Sequence, residues 1–306
     1  PAPAPLVAVV DDALPRGLLR DLQAAFAPGV PFWTEHGYWE DDGFFSYEVP
    51  LGGAATSRAS CQHPAVEAAF LVAEFAAAVA PELAGPDHRP GYAEWWCHSK
   101  PHCAGHLLHF DQADDSQVPV VSTVLYLSPE GVGGPTLVTD QGMDDRYLAS
   151  RGWLCRPKEN RLLLFDGRLL HGVLPGAGGP PAVEGRGGDE GPPRPCRRCT
   201  LMVAICRQRP EVGRREGNIM PDLTSSQLAW PRAAVAEASD AGERRRRAAA
   251  ARPGYPEPVT VWADVGSGEG CQQGDRFPSP PPSRCFQGIT PWRGVPDRLL
   301  SGDVFE

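Results

Sequence analysis

The chain lacks any apolar run approaching the ~20 residues that a helical membrane span needs. It also lacks the pattern of a secretory signal, because Pro1-Ala2-Pro3-Ala4-Pro5 is extended rather than an apolar core before a cleavage site. The sequence starts at Pro1 and not at Met, so a targeting segment and the compartment stay open. The expectation is a soluble intracellular protein with no membrane partner. A positive charge balance is missing too: the formal net charge is −9 at pH 7, which argues against a general nucleic-acid binder but leaves room for a local basic patch. The nine cysteines are an odd number, and reduced, mostly buried thiols are expected rather than a disulfide framework. Cys196-Arg197-Arg198-Cys199 has CxxC spacing, but no second CxxC or matching His accompanies it, so it reads as packing rather than a zinc site. No internal repeat is evident.

What is present suffices for a sizeable core. The chain has 306 residues, 42% of them hydrophobic, enough for one large domain or a domain with appendages. Asp11-Asp12 followed by Leu14, Leu18, Leu19, Leu22 and Phe26 predicts a capped amphipathic helix. His63-Pro64 predicts the start of a second helix through about Ala80, with Val66, Phe70, Val72, Phe75 and Val79 as its apolar face and Pro81 as its stop. Between them lie seven aromatics: Phe32, Trp33, Tyr38, Trp39, Phe44, Phe45 and Tyr47. They read equally well as a loop or hairpin near a binding site and as a packed edge of the core. The Ala-rich stretch from Ser225 to Ala251 looks helical, with Arg244 to Arg247 as a solvated face. From Arg252 onward Pro and Gly dominate, which predicts a weakly structured extension wrapping the domain.

The chemistry concentrates elsewhere. His109-Phe110-Asp111 places an imidazole and a carboxylate at i and i+2, which share a face in extended chain. His171, in Leu169-Leu170-His171-Gly172-Val173, supplies a second imidazole from a different strand. Two imidazoles and one carboxylate hold one face of an octahedral metal and leave three positions open. The flanking runs read as strands: Val118 to Leu127, rich in β-branched residues; Thr136 to Val138 after the Gly133-Gly134-Pro135 turn; Arg161 to Asp166 before the Asp166-Gly167 turn; and Arg198 to Cys206. His98, His102, His106 and His109 are spaced as on a helix face, but Pro101 and Gly105 break such a helix. The first three are therefore expected in the core or behind the ligands, with His106 reaching the metal only across a bulge.

The ordered series His-Phe-Asp, Thr-Val-Leu-Tyr-Leu-Ser, Gly-Gly-Pro-Thr, Leu-Leu-Leu-Phe-Asp-Gly-Arg-Leu-Leu-His-Gly-Val and Arg-x-Thr resembles the catalytic domain of Fe(II)/2-oxoglutarate-dependent dioxygenases, in the style of the prolyl-hydroxylase-like branch. The resemblance covers roughly residues 91 to 207. It implies a mainly β fold with flanking helices and a double-stranded β-helix (jelly-roll) core. Residues 1–90 would then be a helical and aromatic region bracing that core, 91–207 the catalytic core, and 208–306 a C-terminal extension. The resemblance also implies Fe(II) held by His109, Asp111 and His171, with 2-oxoglutarate as co-substrate and ascorbate as an allowed accessory reductant. Arg198 would bind the far carboxylate, with Thr200 on the same strand face and Arg197 turned the other way. Independently of any family, a guanidinium fork pairs a carboxylate through two hydrogen bonds. The interval from His171 to Arg198 is longer than the family's, because Pro175 to Pro195 inserts a Gly- and Pro-rich segment. Tyr126 and Thr136 are candidate hydrogen-bond donors to 2-oxoglutarate, each balanced by a purely structural role, and Trp96 is a candidate pocket wall. The implied activity is hydroxylation of a protein side chain such as proline, or of a small molecule, with formation of succinate and CO2. Two other classes fit the same ligand set: a metal-binding jelly-roll sensor without turnover, and a zinc hydrolase of cupin-like fold.

Overall fold

Alternating and continuous apolar runs form the strands that dominate the described part of the chain. The computed structural model describes residues 6–35, 46–51, 63–81, 91–111, 118–142, 145, 149, 151–177, 196–207 and 241–260. The strands are β1 (Val7–Val10), β2 (Tyr47–Pro50), β3 (Tyr92–Pro101), β4 (His106–His109), β5 (Val121–Tyr126), β6 (Thr136–Gly142), β7 (Arg151–Cys155), β8 (Leu162–Asp166), β9 (Leu169–Val173), β10 (Arg197–Cys206) and β11 (Glu257–Thr260). The helices are α1 (Arg16–Ala25), α2 (Pro31–Glu35), α3 (Pro64–Val79) and α4 (Ala241–Ala250).

Two antiparallel sheets result, ordered β1-β8-β5-β10-β3-β2 and β11-β7-β6-β9-β4. Between β3 and β10 the chain passes back and forth so that β3, β5, β8 and β10 build one sheet and β4, β6, β7 and β9 the other. This winding is a double-stranded β-helix, the jelly roll expected from the motif series. The outer segments extend it: β1 pairs with β8, β2 with β3, and β11 with β7.

The first sheet is covered on both faces, which is why β5 is buried at every position and β10 at nine of its ten. On its outer face, Leu18, Leu22 and Phe26 beside α1, and Leu71, Val72 and Phe75 of α3, pack with Leu125, Leu164, Leu201 and Val203. Burying each such side chain contributes about 1.5–3 kcal/mol. On its inner face, Val124, Leu163, Phe165 and Met202 meet Val138 of the second sheet. The described aromatics of the 32–47 segment belong to the core: Phe32 and Trp33 are buried against Phe26, and Tyr47 stacks on Trp95. Tyr38, Trp39, Phe44 and Phe45 lie outside the described residues.

Two local expectations need correction. The first helix is not capped by Asp11 or Asp12; its N-cap is Pro15, with no side-chain cap. Asn160 holds the approach instead, accepting from Leu14 N at 2.9 Å and donating to Leu14 O at 3.0 Å. Asp11 is thereby freed to accept from Arg161 Nε at 2.6 Å and Lys158 Nζ at 2.8 Å. The arginine run, read as a solvated face, in fact docks α4. Arg244 pairs with Glu67 at 2.9 Å in a largely buried contact with α3, and Arg247 donates to the carbonyls of Asp12, Ala13 and Leu14. Arg245 reaches Glu74 of α3, and Arg246 pairs with Glu243 one turn earlier in its own helix. The second helix matches expectation, with His63 accepting from Ala65 N at its start and Ala80 as the C-cap. Residues 178–195 of the insertion, 208–240 and 261–306 lie outside the described residues.

Asp11 gives a pH-dependent test. The Arg161 hydrogen bond, with Lys158 beside it, outweighs partial burial and holds the carboxyl at about 2 against an ordinary value of 3.8. A depressed carboxyl contributes stability that is complete above its unfolded value and is lost as pH falls through its folded one. The group is about a third exposed, so the contribution is that of a screened surface pair, about 0.2–1 kcal/mol. Asp11→Asn is expected to lower the free energy of urea unfolding by that amount at pH 7, and the deficit should shrink between pH 4 and pH 2. An equal deficit at both ends of that range would contradict it.

Candidate metal centre

Asp111 sits just past the end of β4, still two residues from His109 and on its side of the chain. His109 stands directly opposite His171 in the pairing of β4 with β9. The result brings one ligand atom from each of His109, Asp111 and His171 within 4.8 Å of one another. Asp111 Oδ1 lies 3.7 Å from His109 Nε2 and 3.4 Å from His171 Nε2. Among the described residues this is the one cluster of its kind.

The tautomers suit ligation. His109 Nδ1 is 2.7 Å from the carbonyl of Leu107, and His171 Nδ1 is 2.9 Å from that of Leu169. A carbonyl only accepts, so each Nδ1 carries the proton and each Nε2 presents a lone pair. Burial and the neighbouring His171 push the His109 imidazole down to about 4, despite Asp111. Burial alone would raise Asp111, but His171, His109 and the Ser122 hydroxyl outweigh it and hold the carboxyl at about 2. The Asp111 carboxylate in turn overcomes desolvation at His171 and raises that imidazole. Two neutral-capable imidazoles beside an ionised carboxylate form a donor set for a divalent metal.

Arg198 occupies the same cavity, which is also lined by Trp96, Val124, Thr136, Phe165, Thr200 and Met202. Arg198, Thr200 and Met202 alternate along β10 and face inward, as strand parity predicted. Arg197 points away, donating to Ser99 Oγ at 3.0 Å and to Ser99 O at 2.6 Å. Only 6% of Arg198 is exposed. Its Nη2 donates to Thr136 Oγ1 at 3.3 Å, and its guanidinium carbon lies 5.5 Å from the centre of the Tyr126 ring. Its Nε is buried with no hydrogen-bond partner among the described residues. Desolvation lowers its pKa from the ordinary arginine value. Tyr126 reaches the site through Thr136: its hydroxyl is 2.7 Å from Thr136 Oγ1 and 3.1 Å from the carbonyl of Cys155.

The β5–β6 turn is shaped around Arg198. Gly133 has φ +88°, and a Cβ there would fall 2.5 Å from Arg198 Cδ. His102 fastens this turn, accepting from Gly133 N at 2.9 Å through Nδ1, with Nε2 3.3 Å from the carbonyl of Ala177. His102 thus stands behind the site, as expected.

Of the two alternatives for His98 and His106, the core or a place behind His109, the structure takes the second: both line the cavity. Their rings form a file with the imidazoles of His109 and His171, with centroids 5.4 Å apart for His98–His106, 4.8 Å for His106–His109 and 4.3 Å for His109–His171. Burial first, then Lys100 and Arg198, drives His98 down to about 3; burial first, then the neighbouring imidazoles of His109 and His98, drives His106 to about 2. Both are neutral at pH 7. A signal for His98 was in the sequence: Trp96, His98 and Lys100 alternate on β3, and they pair with Met202, Thr200 and Arg198. Cys199, the second thiol of the CxxC pair, is buried 4.0 Å from Cys97, consistent with packing, and Cys196 is half-buried.

No protein-family model matches the chain, and no curated protein does. Similar solved structures include a Pseudomonas putida prolyl-4-hydroxylase, at 16% identity over 67% of this chain and 94% of that one, with a TM-score of 0.42. AviO1 from Streptomyces viridochromogenes is also similar, at 16% identity over 68% and 93%, with a TM-score of 0.42. A third is the collagen prolyl hydroxylase of Paramecium Bursaria Chlorella virus-1 in its 2-oxoglutarate complex, at 13% identity over 65% and 95%, with a TM-score of 0.36. At these values the likeness carries no argument for function, which has to come from the residues themselves.

The fit of Gly133 against Arg198 is directly testable. Gly133→Ala combines a left-handed backbone with a clash into a buried side chain, and strained backbone of this kind costs about 1–3 kcal/mol. Gly254→Ala is the control, since among the described residues its added Cβ would meet only Val9, with Cγ2 at 3.5 Å and the carbonyl oxygen at 4.0 Å, both ordinary contacts. Thermal unfolding should show a clear loss for the first and little change for the second. Equal effects would contradict the packing described.

Proposed function

We propose that this protein is an Fe(II)- and 2-oxoglutarate-dependent dioxygenase that hydroxylates its substrate. One observation carries the reading: a buried guanidinium with an orphaned Nε shares a cavity with two imidazoles and a carboxylate poised for one metal. Leaving a buried charged donor unsatisfied costs more than the ~1–3 kcal/mol of a neutral group, and a carboxylate from a ligand would remove that cost. A small dicarboxylate can be held by the metal at one end and by Arg198 at the other. A zinc hydrolase or a metal sensor would need the triad but would leave the buried Arg198 without a purpose.

The donor set fits iron. His109 and His171 would supply Nε2 and Asp111 would supply Oδ1 to the ion, a donor set that suits an iron site able to take a co-substrate. When bound, Fe(II) with 2-oxoglutarate supplies oxidative decarboxylation to succinate and CO2, coupled to transfer of one oxygen atom into a C–H bond. The chain's own residues orient and seclude. Arg198 would hold the distal carboxylate, with Thr136 and Thr200 offering hydroxyls beside it. Tyr126 would fix Thr136 from behind. Val124, Phe165 and Met202 would keep water from that end, so charge interactions there act in a low dielectric. In this reading residues 91–207 form the catalytic core, and the segments before and after it brace its sheets.

The test needs no knowledge of the hydroxylated substrate. Fe(II) and then 2-oxoglutarate are added without oxygen, and the weak visible charge-transfer band of the chelate is followed. The wild-type protein should develop the band and His171→Ala should not. Arg198→Ala should weaken the apparent 2-oxoglutarate affinity by about 2 kcal/mol or more, roughly 30-fold. A protein that holds the metal tightly but gives no band with 2-oxoglutarate would overturn the reading.

A further inference from the structure

Asp111 lies outside the strand ladder, so its backbone alone does not fix its carboxylate. The terminal torsion of an Asp side chain is broad and roughly two-fold, and without a further contact either oxygen could serve as ligand. That contact comes from the opposite sheet. Ser122 on β5 donates its hydroxyl proton to Asp111 Oδ2. The serine is itself immobilised: it is 2% exposed and sits opposite Phe165 of β8 on one side and Ala204 of β10 on the other. With Oδ2 engaged, Oδ1 is the oxygen turned to the two histidines, 3.4 Å from His171 Nε2 and 3.7 Å from His109 Nε2.

We infer that Ser122 is a positioning residue that confines Asp111 to ligation through one oxygen. The inference rests on the metal-site reading above and deepens it. A carboxylate that bound through both oxygens would occupy two positions of an octahedron already shared with two imidazoles. Only two would then remain, and a chelating 2-oxo acid would fill both, leaving none for dioxygen. The hydroxyl donor thus protects the open position by occupying the second carboxylate oxygen. It also joins the two sheets at the metal, because Ser122 belongs to the first sheet while His109 and His171 belong to the second. Partners of ligating carboxylates and imidazoles commonly change metal affinity or activity by about 10–100-fold when removed.

The test uses Co(II) alone as the probe, titrated into metal-free protein and read by calorimetry and by the visible d–d spectrum. Wild type, Ser122→Ala, Ser122→Thr and His171→Ala are compared, each with a thermal unfolding curve of the metal-free form. Ser122→Ala should bind Co(II) about 10–100-fold more weakly and show an altered d–d spectrum. Ser122→Thr keeps the hydroxyl and suits a strand, so it should restore both. If Ser122→Ala lowers the unfolding midpoint, the near-isosteric Ser122→Cys replaces it, with the same direction expected from its weaker donor. Wild-type affinity and an unchanged spectrum in a folded Ser122→Ala or Ser122→Cys protein would overturn the inference while leaving the metal site standing. Wild type binding Co(II) no better than His171→Ala would instead overturn the metal site itself, and the role of Ser122 with it.

Discussion

The pairing of β4 with β9, which sets His109 directly opposite His171, is the constraint on which the rest of the centre depends. Side chains directly opposite across an antiparallel pair are close enough to share one ion, whereas a slip of one residue would send His171 to the other face. That register is protected by burial: Val173 packs at one end of β9 and Leu169 at the other, and β6 flanks the strand on its far side. Asp111 then needs only two more residues of chain to arrive beside both imidazoles. Each imidazole is turned by the carbonyl two residues before it, Leu107 for His109 and Leu169 for His171. The orientation of the two imidazoles is therefore built from local backbone, and their meeting from long-range pairing.

The second constraint is electrostatic. The cavity between the sheets holds an ionised carboxylate at one end and a guanidinium at the other, in surroundings apolar enough to push two further histidines to neutrality. Charges are buried at a cost of several kcal/mol each unless paired. Asp111 is compensated by His171, His109 and Ser122. Arg198 is met by a long hydrogen bond to Thr136 and by Tyr126, while its Nε has no hydrogen-bond partner among the described residues. The imbalance suits a site completed by a ligand that brings negative charge, and Gly133, fastened by His102, gives the Arg198 side chain its room.

Much of this was legible in the sequence because it is carried by local pattern. The β-branched run of β5 and the parity of Arg198 with Thr200 follow from strand pattern, and the turn at Asp166-Gly167 from its turn residues; Asp111, read as a strand partner of His109, falls just past β4 but still beside it. His63-Pro64 likewise announced α3 through its own cap. What escaped depends on partners distant in the chain. Asp11 looked like a cap because Arg161 and Lys158 cannot be seen from residue 11. The run Arg244–Arg247 looked like a solvated face because Glu67 and the carbonyls of residues 12–14 are far away in sequence. Ser122 looked like any strand serine until β5 was brought beneath Asp111. His98 is the intermediate case: Pro101 ruled out a helical histidine cluster and left it in the core or behind the candidate ligands, while its pairing opposite Thr200, which puts it in the cavity, depends on β10.

X-ray absorption at the iron edge, on protein loaded with Fe(II) in the absence of oxygen, tests the central claim most directly. The geometry of His109, Asp111 and His171 predicts a six-coordinate light-atom shell with multiple scattering from two imidazoles. Addition of 2-oxoglutarate should replace two oxygen ligands by a chelate without loss of either imidazole. A closed four-coordinate shell, or a shell indifferent to 2-oxoglutarate, would contradict the account.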